Sequence, residues 1–256
     1  MIKSKRDIAL QLFNKVPEVT IFFWIIKIMA TTVGETGADF LIFNLHFGLT
    51  TTSFIMGALL LAALFVQVKT KRYIPWIYWV TVVMISIVGT LITDNLTDNF
   101  GVSLVVSTLA FSLALAATFV TWYAIEKTLS IHTIYTSKRE LFYWAAILVT
   151  FALGTAAGDL SSESLNFGYA ISGFIFGAMI AAVAVLHYFF KVNAVLSFWL
   201  AYILTRPFGA SFGDYLSQPT SNGGLGFGTV TTSFVFIAAI FGLVTFLSLK
   251  KIKAHL

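Results

Sequence analysis

Seven acidic residues lie within or directly beside long apolar stretches of this sequence. Four are aspartates at one place in a recurring pattern: Asp39, Asp94, Asp159 and Asp214. Three more acids each lie four residues from one of these aspartates: Glu35, Asp98 and Glu163. Residues four apart share a helix face, and one acid at the centre of a bilayer costs about 2.5–3.5 kcal/mol on insertion scales. We therefore expect these carboxylates to face water, protons, cations or one another.

The chemistry of these side chains favours hard cations. The chain has no cysteine and no clustered histidine, and carboxylate oxygens suit Mg²⁺, Mn²⁺ or Ca²⁺. The candidate metal ligands are Glu35, Asp39, Asp94, Asp159 and Asp214. Closely spaced carboxylates also share protons, so a bound cation could displace them. We predict an ion-binding and proton-coupling role for all seven acids, with Asp98 and Glu163 the two nearest to hydrated loops. A bound divalent cation is the only cofactor expected, and no residue is assigned a catalytic role.

Two basic residues lie inside the apolar stretches. Arg206 stands eight residues before Asp214, too far along a helix to pair with it directly, and Pro207 should kink the helix there. We expect Arg206 to pair with an acid from another part of the chain. Lys27 is three residues past Trp24, so it either reaches the membrane surface or serves as a second charge partner.

The aspartates belong to a tandem repeat. Each follows a tryptophan by fifteen residues: Trp24, Trp79, Trp144 and Trp199. Each also follows a glycine by five residues and precedes a Phe-Gly pair, and four copies in register indicate tandem duplication. We expect the tryptophans to be anchors at the membrane interface. Small residues four apart suit close helix contacts, which gives these candidate packing residues: Gly34, Gly89, Gly154, Gly158, Gly209 and Gly213.

Composition indicates an all-α integral membrane protein. The 256 residues are 58% hydrophobic and 11% charged, whereas a soluble domain is about a quarter charged. We predict one membrane domain over residues 1–256, with repeats near 17–70, 72–126, 138–190 and 193–250. Apolar runs of roughly 20 residues predict eight transmembrane helices, near 18–42, 50–68, 74–96, 102–124, 141–162, 169–190, 194–216 and 228–249.

The basic residues predict the orientation. Of the sixteen Lys and Arg residues, fourteen lie outside the predicted spans, in the terminal segments and between repeats. Both termini should therefore be cytoplasmic. Each repeat then crosses twice, so the four copies are parallel and related by an axis along the membrane normal. This placement accounts for the net charge of +5 without nucleic acid as a partner.

The repeat and the motif KVPEVT…WIIK…TTVGET…D together resemble a known family. It is a family of bacterial membrane-anchored proteins of unknown function, built from four tandem two-helix repeats, each with a Trp. The resemblance covers essentially the whole chain. It implies a multi-pass protein of the bacterial inner membrane, in contact with the lipid bilayer, and it supplies no activity.

The acids favour a transporter of a hard divalent cation, coupled to protons. A pseudo-tetrameric cation channel is the nearest alternative, with four acids around a central pore. An intramembrane aspartyl protease is a third, although Ala156 and Ser211 stand where a GxGD motif needs its first glycine. A non-transporting membrane partner or sensor is a fourth. Homo-oligomer formation, the ion and the direction of transport stay open.

Overall fold

The computed structural model describes residues 13–253 and consists of α-helices joined by short turns, with no β-strand in that range. It confirms the eight predicted helices. They are α1 (Ile21–Asp39), α2 (Leu49–Lys69), α3 (Pro75–Asp94), α4 (Leu104–Glu126), α5 (Ser137–Asp159), α6 (Gly168–Phe190), α7 (Ala194–Ser217) and α8 (Thr229–Lys253). Within the described residues, seven of the eight helices are long and apolar enough to cross a membrane, by length and composition.

Helix α7 is the exception. It has 24 residues, so its length is sufficient, but it includes Arg206, Pro207 and Asp214. Polar side chains in one helix of a bundle are tolerated when neighbouring helices enclose them. Arg206 and Asp214 are both buried. The eighth membrane span therefore stays a prediction.

Local sequence explains where the helices begin. The side chains of Thr20, Ser103, Thr136 and Asn193 accept hydrogen bonds from backbone N–H groups of the first turns of α1, α4, α5 and α7. The glycine of each Phe-Gly pair lies just before or at the start of a second helix, with φ between 66° and 77°. Such positive φ favours glycine, which accounts for the fourfold recurrence of the pair. These glycines are Gly48, Gly101, Gly168 and Gly228.

The first helices of the four repeats form an inner ring. Helix α1 packs on α3, α3 on α5, α5 on α7, and α7 on α1. The second helices lie outside, and each packs on the first helix of the next repeat: α2 on α3, α4 on α5, α6 on α7 and α8 on α1. In the most apolar stretches of α1, α3 and α5, 61–72% of residues are buried, against 11–22% in the outer helices. The outer helices therefore have the apolar, exposed surface that lipid contact requires.

Glycines form the contacts between neighbours in the inner ring. In each repeat, the glycine five residues before the aspartate contacts the neighbouring inner helix, and we call it the contact glycine. It lies against the residue three positions before the contact glycine of the next repeat. A Cβ atom at any of the four would overlap that neighbour, so only glycine fits this spacing. The pairs are Gly34 with Ser86, Gly89 with Phe151, Gly154 with Arg206, and Gly209 with Thr31. Gly158 and Gly213 also face the next helix, and a Cβ atom at either position would be in close contact with that helix without overlapping it.

The tryptophans differ from the expectation of interfacial anchors. Trp79, Trp144 and Trp199 are only 2%, 4% and 4% exposed, and Trp24 is half-buried. Their rings pack against Tyr and Phe side chains of the inner ring. The expectation of membrane anchors is wrong for the three buried residues, because their rings stabilise helix–helix packing and contact protein instead of lipid headgroups.

Candidate functional site

One position of the inner ring brings all four repeats together. It is the residue that directly follows each contact glycine: Glu35, Thr90, Thr155 and Ala210. Arg206 reaches the first three of them through one nitrogen atom. Its Nη2 lies 2.9 Å from Glu35 Oε2, 2.7 Å from Thr155 Oγ1 and within hydrogen-bond distance of Thr90 Oγ1, so its two N–H groups are shared among these three acceptors. Repeat four supplies Arg206 and has the small Ala210 at the shared position, so the guanidinium joins its own helix to the other three.

Glu35 is the acid that pairs with Arg206. It comes from α1, the helix next to α7 in the inner ring, and both side chains are buried. Gly154 makes room for the stem of Arg206, which passes where a larger residue would have its side chain. The buried charge of each residue is compensated by the other, as the membrane interior requires. Removing either one would leave an uncompensated charge.

Three carboxylates meet beside this ion pair. An oxygen atom from each of Glu35, Asp159 and Asp214 lies within 4.8 Å of the other two. Ca²⁺ binds oxygens at 2.3–2.6 Å, so oxygens on opposite sides of such an ion are about 5 Å apart. These three residues form the carboxylate triad, and they are close enough to hold one ion between them. Glu35 and Asp214 are buried, and Asp159 is half-buried.

The other two predicted ligands lie outside the triad. Asp39 and Asp94 are half-buried, and Asp39 Oδ2 accepts a long hydrogen bond of 3.5 Å from Gln218 Nε2. Neither belongs to the cluster of short oxygen–oxygen distances formed by Glu35, Asp159 and Asp214.

Asp98 and Glu163 lie further out and are exposed. In repeats one to three, a π-helical turn begins directly after the aspartate: Phe40–Asn44, Asn95–Asn99 and Leu160–Ser164. Asp98 belongs to the second of these turns and Glu163 to the third. Repeat four has no such turn, since α7 stays α-helical to Ser217. Isolated π-helical turns are frequent at functional sites, and nothing in the sequence pattern predicted these.

Lys27 does not reach the membrane surface. Its side chain is 0% exposed, and its Nζ lies 4.1 Å from the centroid of the Phe151 ring and 4.2 Å from that of Tyr202. Its Nζ has no hydrogen-bond partner among the described residues. The guanidinium of Arg206 lies 5.7 Å from the same Phe151 ring. Lys27 is therefore a second buried basic side chain close to Arg206, held between aromatic faces.

The inner ring has a tryptophan end, where the repeat tryptophans lie, and an aspartate end, where the repeat aspartates lie. Aromatic side chains form a layer at the tryptophan end. Four of them occupy one repeat position, eleven residues before each contact glycine: Phe23, Tyr78, Tyr143 and Phe198. The hydroxyl groups of Tyr78 and Tyr143 are 2.5 Å apart and hydrogen-bonded, and both side chains are fully buried. The Phe23 and Phe198 rings are 5.9 Å apart. Each member of this layer directly precedes a repeat tryptophan, so the aromatic layer lies at the tryptophan end of the ring.

A second buried polar network lies at the same end, and the sequence interpretation missed it. Lys15 Nζ forms an ion pair with Glu140 Oε2 at 2.5 Å. Glu140 Oε1 accepts from Gln67 Nε2 at 3.0 Å and from Trp144 Nε1 at 3.4 Å. Lys15 and Glu140 lie just outside the predicted helices near 18–42 and 141–162, so neither was a candidate site residue. The one signal in the sequence was the spacing of four between Glu140 and Trp144, which places both on one helix face.

The charges of the triad match a divalent cation. When all three carboxylates are ionised, their three negative charges and the one positive charge of Arg206 sum to two negative charges. One divalent cation or two protons would neutralise them. A site with this balance can exchange one for the other, since closely spaced carboxylates take up protons in coupled steps.

Comparison with known proteins finds one family. The model of the Repeat of Unknown Function (DUF347) matches residues 22–73, 77–128, 142–193 and 197–252. The four tandem matches confirm the predicted repeats. No curated protein and no solved structure matches the chain.

Proposed function

The chain belongs to this DUF347 repeat family, whose description gives no activity, and we propose from the site alone that it is a membrane transporter of a hard divalent cation, coupled to protons. The observation that carries the proposal is the carboxylate triad beside the Arg206–Glu35 ion pair, inside the inner ring. The triad offers only oxygen ligands, which suit Mg²⁺, Mn²⁺ or Ca²⁺.

Arg206 has a defined part in this proposal. It donates to Glu35, so an arriving cation and the guanidinium compete for the same carboxylate. Glu35 can turn from Arg206 towards the cation, while the hydroxyl groups of Thr90 and Thr155 continue to accept from the guanidinium. When the cation leaves, Arg206 and protons neutralise the triad again. Arg206 thus prevents the empty site from holding three unpaired carboxylates in the membrane.

The two ends of the inner ring favour a carrier over a channel. Asp159 of the triad and its neighbours Asp39 and Asp94 are half-buried, which favours access to the triad from the aspartate end. At the other end, the Tyr78–Tyr143 hydrogen bond joins α3 to α5 and aromatic rings pack beside it, which favours an axis that is obstructed there. Arg206 also lies across the ring, bonded to three repeats. A pseudo-tetrameric channel would need an unobstructed axis.

The intramembrane aspartyl enzyme is the second candidate. It is favoured by one observation, the short distance between oxygens of Asp159 and Asp214, because two membrane aspartates can share a proton and activate water. The presence of a third carboxylate and an arginine in the same cluster fits an ion site better. Cleavage of membrane peptides without cation flux would favour the enzyme.

We also propose the membrane arrangement that this function requires. The protein lies in the bacterial inner membrane with both termini in the cytoplasm, and α7 spans the bilayer because the helices packed around it enclose its polar residues. The four repeats are then parallel, about an axis along the membrane normal. The chain has no cysteine, so single cysteines introduced at Lys71 and at Asn222 can report the side of each loop. Labelling of both positions from the same side would contradict this topology.

The test of function is a flux assay in proteoliposomes. Purified protein is reconstituted with an internal metal indicator and a pH dye, and Mg²⁺, Mn²⁺ and Ca²⁺ are added in turn. We expect saturable uptake of at least one of them, with protons moving outwards. The double variant Asp159→Asn/Asp214→Asn should lose this uptake, whereas Asp98→Asn, an exposed acid outside the triad, should keep it. Full uptake by the double variant would overturn the proposal.

A further inference from the structure

A short segment before α1 crosses the tryptophan end of the inner ring. This segment, the strap, comprises Asn14, Lys15 and Val16. Lys15 N donates to Ile134 O at 2.9 Å, Ile134 N donates to Asn14 Oδ1 at 3.1 Å, and Tyr73 N donates to Asn14 O at 3.0 Å. Val16 is buried in the main apolar core. The strap is thus tied to both of the linkers that follow repeats one and two.

The Lys15 side chain joins the strap to the helices. Its Nζ contacts Glu140 Oε2 at 2.5 Å and donates to Val68 O at 3.0 Å. Glu140 lies in the first turn of α5, and Val68 and Gln67 lie in the last turn of α2. Both charged side chains are buried. A single ion pair therefore holds together the strap, the end of repeat one and the start of repeat three.

The tyrosine pair is a second closure at this end. Tyr78 on α3 and Tyr143 on α5 join neighbouring helices of the inner ring through their hydroxyl groups. Tyr143 lies three residues after Glu140, on the same helix, so movement of the start of α5 would act on both contacts. The strap and the aromatic layer, which includes the tyrosine pair, both lie at the tryptophan end of the ring.

We propose that the strap and the tyrosine pair form the gate of the transporter at this end, with the Lys15–Glu140 ion pair as its latch. This inference rests on the proposed function, because a carrier must open its site to each side in turn. A buried ion pair suits a reversible latch. The desolvation cost of burying two charges offsets most of their attraction, and on opening both regain their hydration. Apolar contacts of the same area would hold the closed state more strongly.

The experiment measures access from the tryptophan end directly. The chain has no cysteine, so Val82→Cys introduces a single reporter thiol. Val82 is fully buried on α3, four residues further into the bundle than Tyr78. A membrane-impermeant thiol reagent is applied to vesicles of each orientation, and the labelling rate is recorded. We expect slow labelling from the tryptophan end while the latch is intact.

Latch variants are then compared in this background. Lys15→Met and Glu140→Gln should each raise the labelling rate from the tryptophan end by about tenfold or more and leave the rate from the aspartate end unchanged. Lys15→Arg, which keeps the charge, should label as slowly as the parent protein. Lys71→Met is the matched control, since Lys71 is an exposed cation of the same face. Melting temperatures of all variants identify any that fail to fold.

The outcomes separate the gate from the proposed function. Unchanged labelling in folded Lys15→Met and Glu140→Gln proteins would overturn the gate, even if cation flux is found. An equal rise from both ends would also overturn it, because a general loosening of the bundle predicts that result. A third outcome is that the latch variants change the labelling rate but the parent protein transports none of the three cations. That result would support the gate and count against the proposed function, because the gate would then serve a different solute.

Discussion

Replacement of Arg206 and Glu35 by apolar residues tests the energetics at the centre of the inner ring. Arg206→Met leaves Glu35 buried without its charged partner, and Glu35→Met does the same to Arg206. Breaking a buried ion pair on one side costs about 3–5 kcal/mol in the free energy of unfolding. Replacing both members by apolar side chains of similar volume is often neutral, or stabilising by about 1–4 kcal/mol. We therefore expect two strongly destabilised single variants and a double variant close to the parent.

The hydroxyl groups around the pair support this expectation. Thr90 Oγ1 also donates to Ser86 O at 3.2 Å and Thr155 Oγ1 to Phe151 O at 3.3 Å, within their own helices. These bonds persist when the guanidinium is removed, so the double variant leaves few buried polar groups without a partner. The double variant should nevertheless lose the proposed cation flux, because Glu35 belongs to the triad that we propose as the ion site.

The assay is reversible unfolding in mixed micelles, followed by helix content and by tryptophan fluorescence. The two signals must coincide before free energies are compared. An exposed substitution on an outer helix, Ser112→Ala, gives the baseline for a change without a buried contact. If the losses of the two single variants simply add in the double variant, Arg206 and Glu35 have no coupling energy, and their ion pair does not stabilise the centre of the ring.

Three further predictions concern other parts of the molecule. Gly209→Ala should lower the free energy of unfolding by about 1–3 kcal/mol, because the added Cβ overlaps Thr31. The control Gly57→Ala places its Cβ in open space and should change the free energy of unfolding by less than about 1 kcal/mol. Equal effects of the two substitutions in the same unfolding assay would contradict the close packing of the ring. Lys27→Met should keep or raise the melting temperature, because it removes a buried polar nitrogen without a hydrogen-bond partner among the described residues, and a clear fall would show that the aromatic contacts outweigh desolvation. Glu163→Gln should keep cation flux within about twofold of the parent, since a change of one exposed charge has a small effect; its loss would extend the site beyond the triad.

The sequence was most informative about what recurs. Register-matched Trp, Gly and Asp residues predicted four repeats and eight helices, because local periodicity and hydropathy carry that information. It could not show that Arg206 meets Glu35, since the two are 171 positions apart and their contact depends on the order of helices in the ring. The same limit applies to the pair of Lys15 and Glu140, which are separated by 125 positions.

Other expectations differ from the structure because they inferred the exposure of a side chain from its residue type. A tryptophan near the end of a membrane helix is typically an interfacial anchor, yet Trp79 and Trp144 pack within the inner ring. Lys27 has a side chain long enough to reach a membrane surface, but it is enclosed by Phe151 and Tyr202. In each case the tertiary neighbours decide exposure, and a single helix gives no information about them. The π-helical turns after the aspartates depend on the same tertiary packing.

The packing of α8 on α1 has a consequence for how the protein is made. Synthesis delivers α1 to the membrane long before α8, the helix that covers its outer face. Glu35 likewise enters the bilayer long before α7 supplies Arg206. The earlier helices therefore remain in the membrane with the Glu35 carboxyl uncompensated until α7 completes the inner ring. Nascent chains stalled before α7 should be retained by membrane chaperones or degraded, so assembly of this bundle is a late and all-or-none event in its biogenesis.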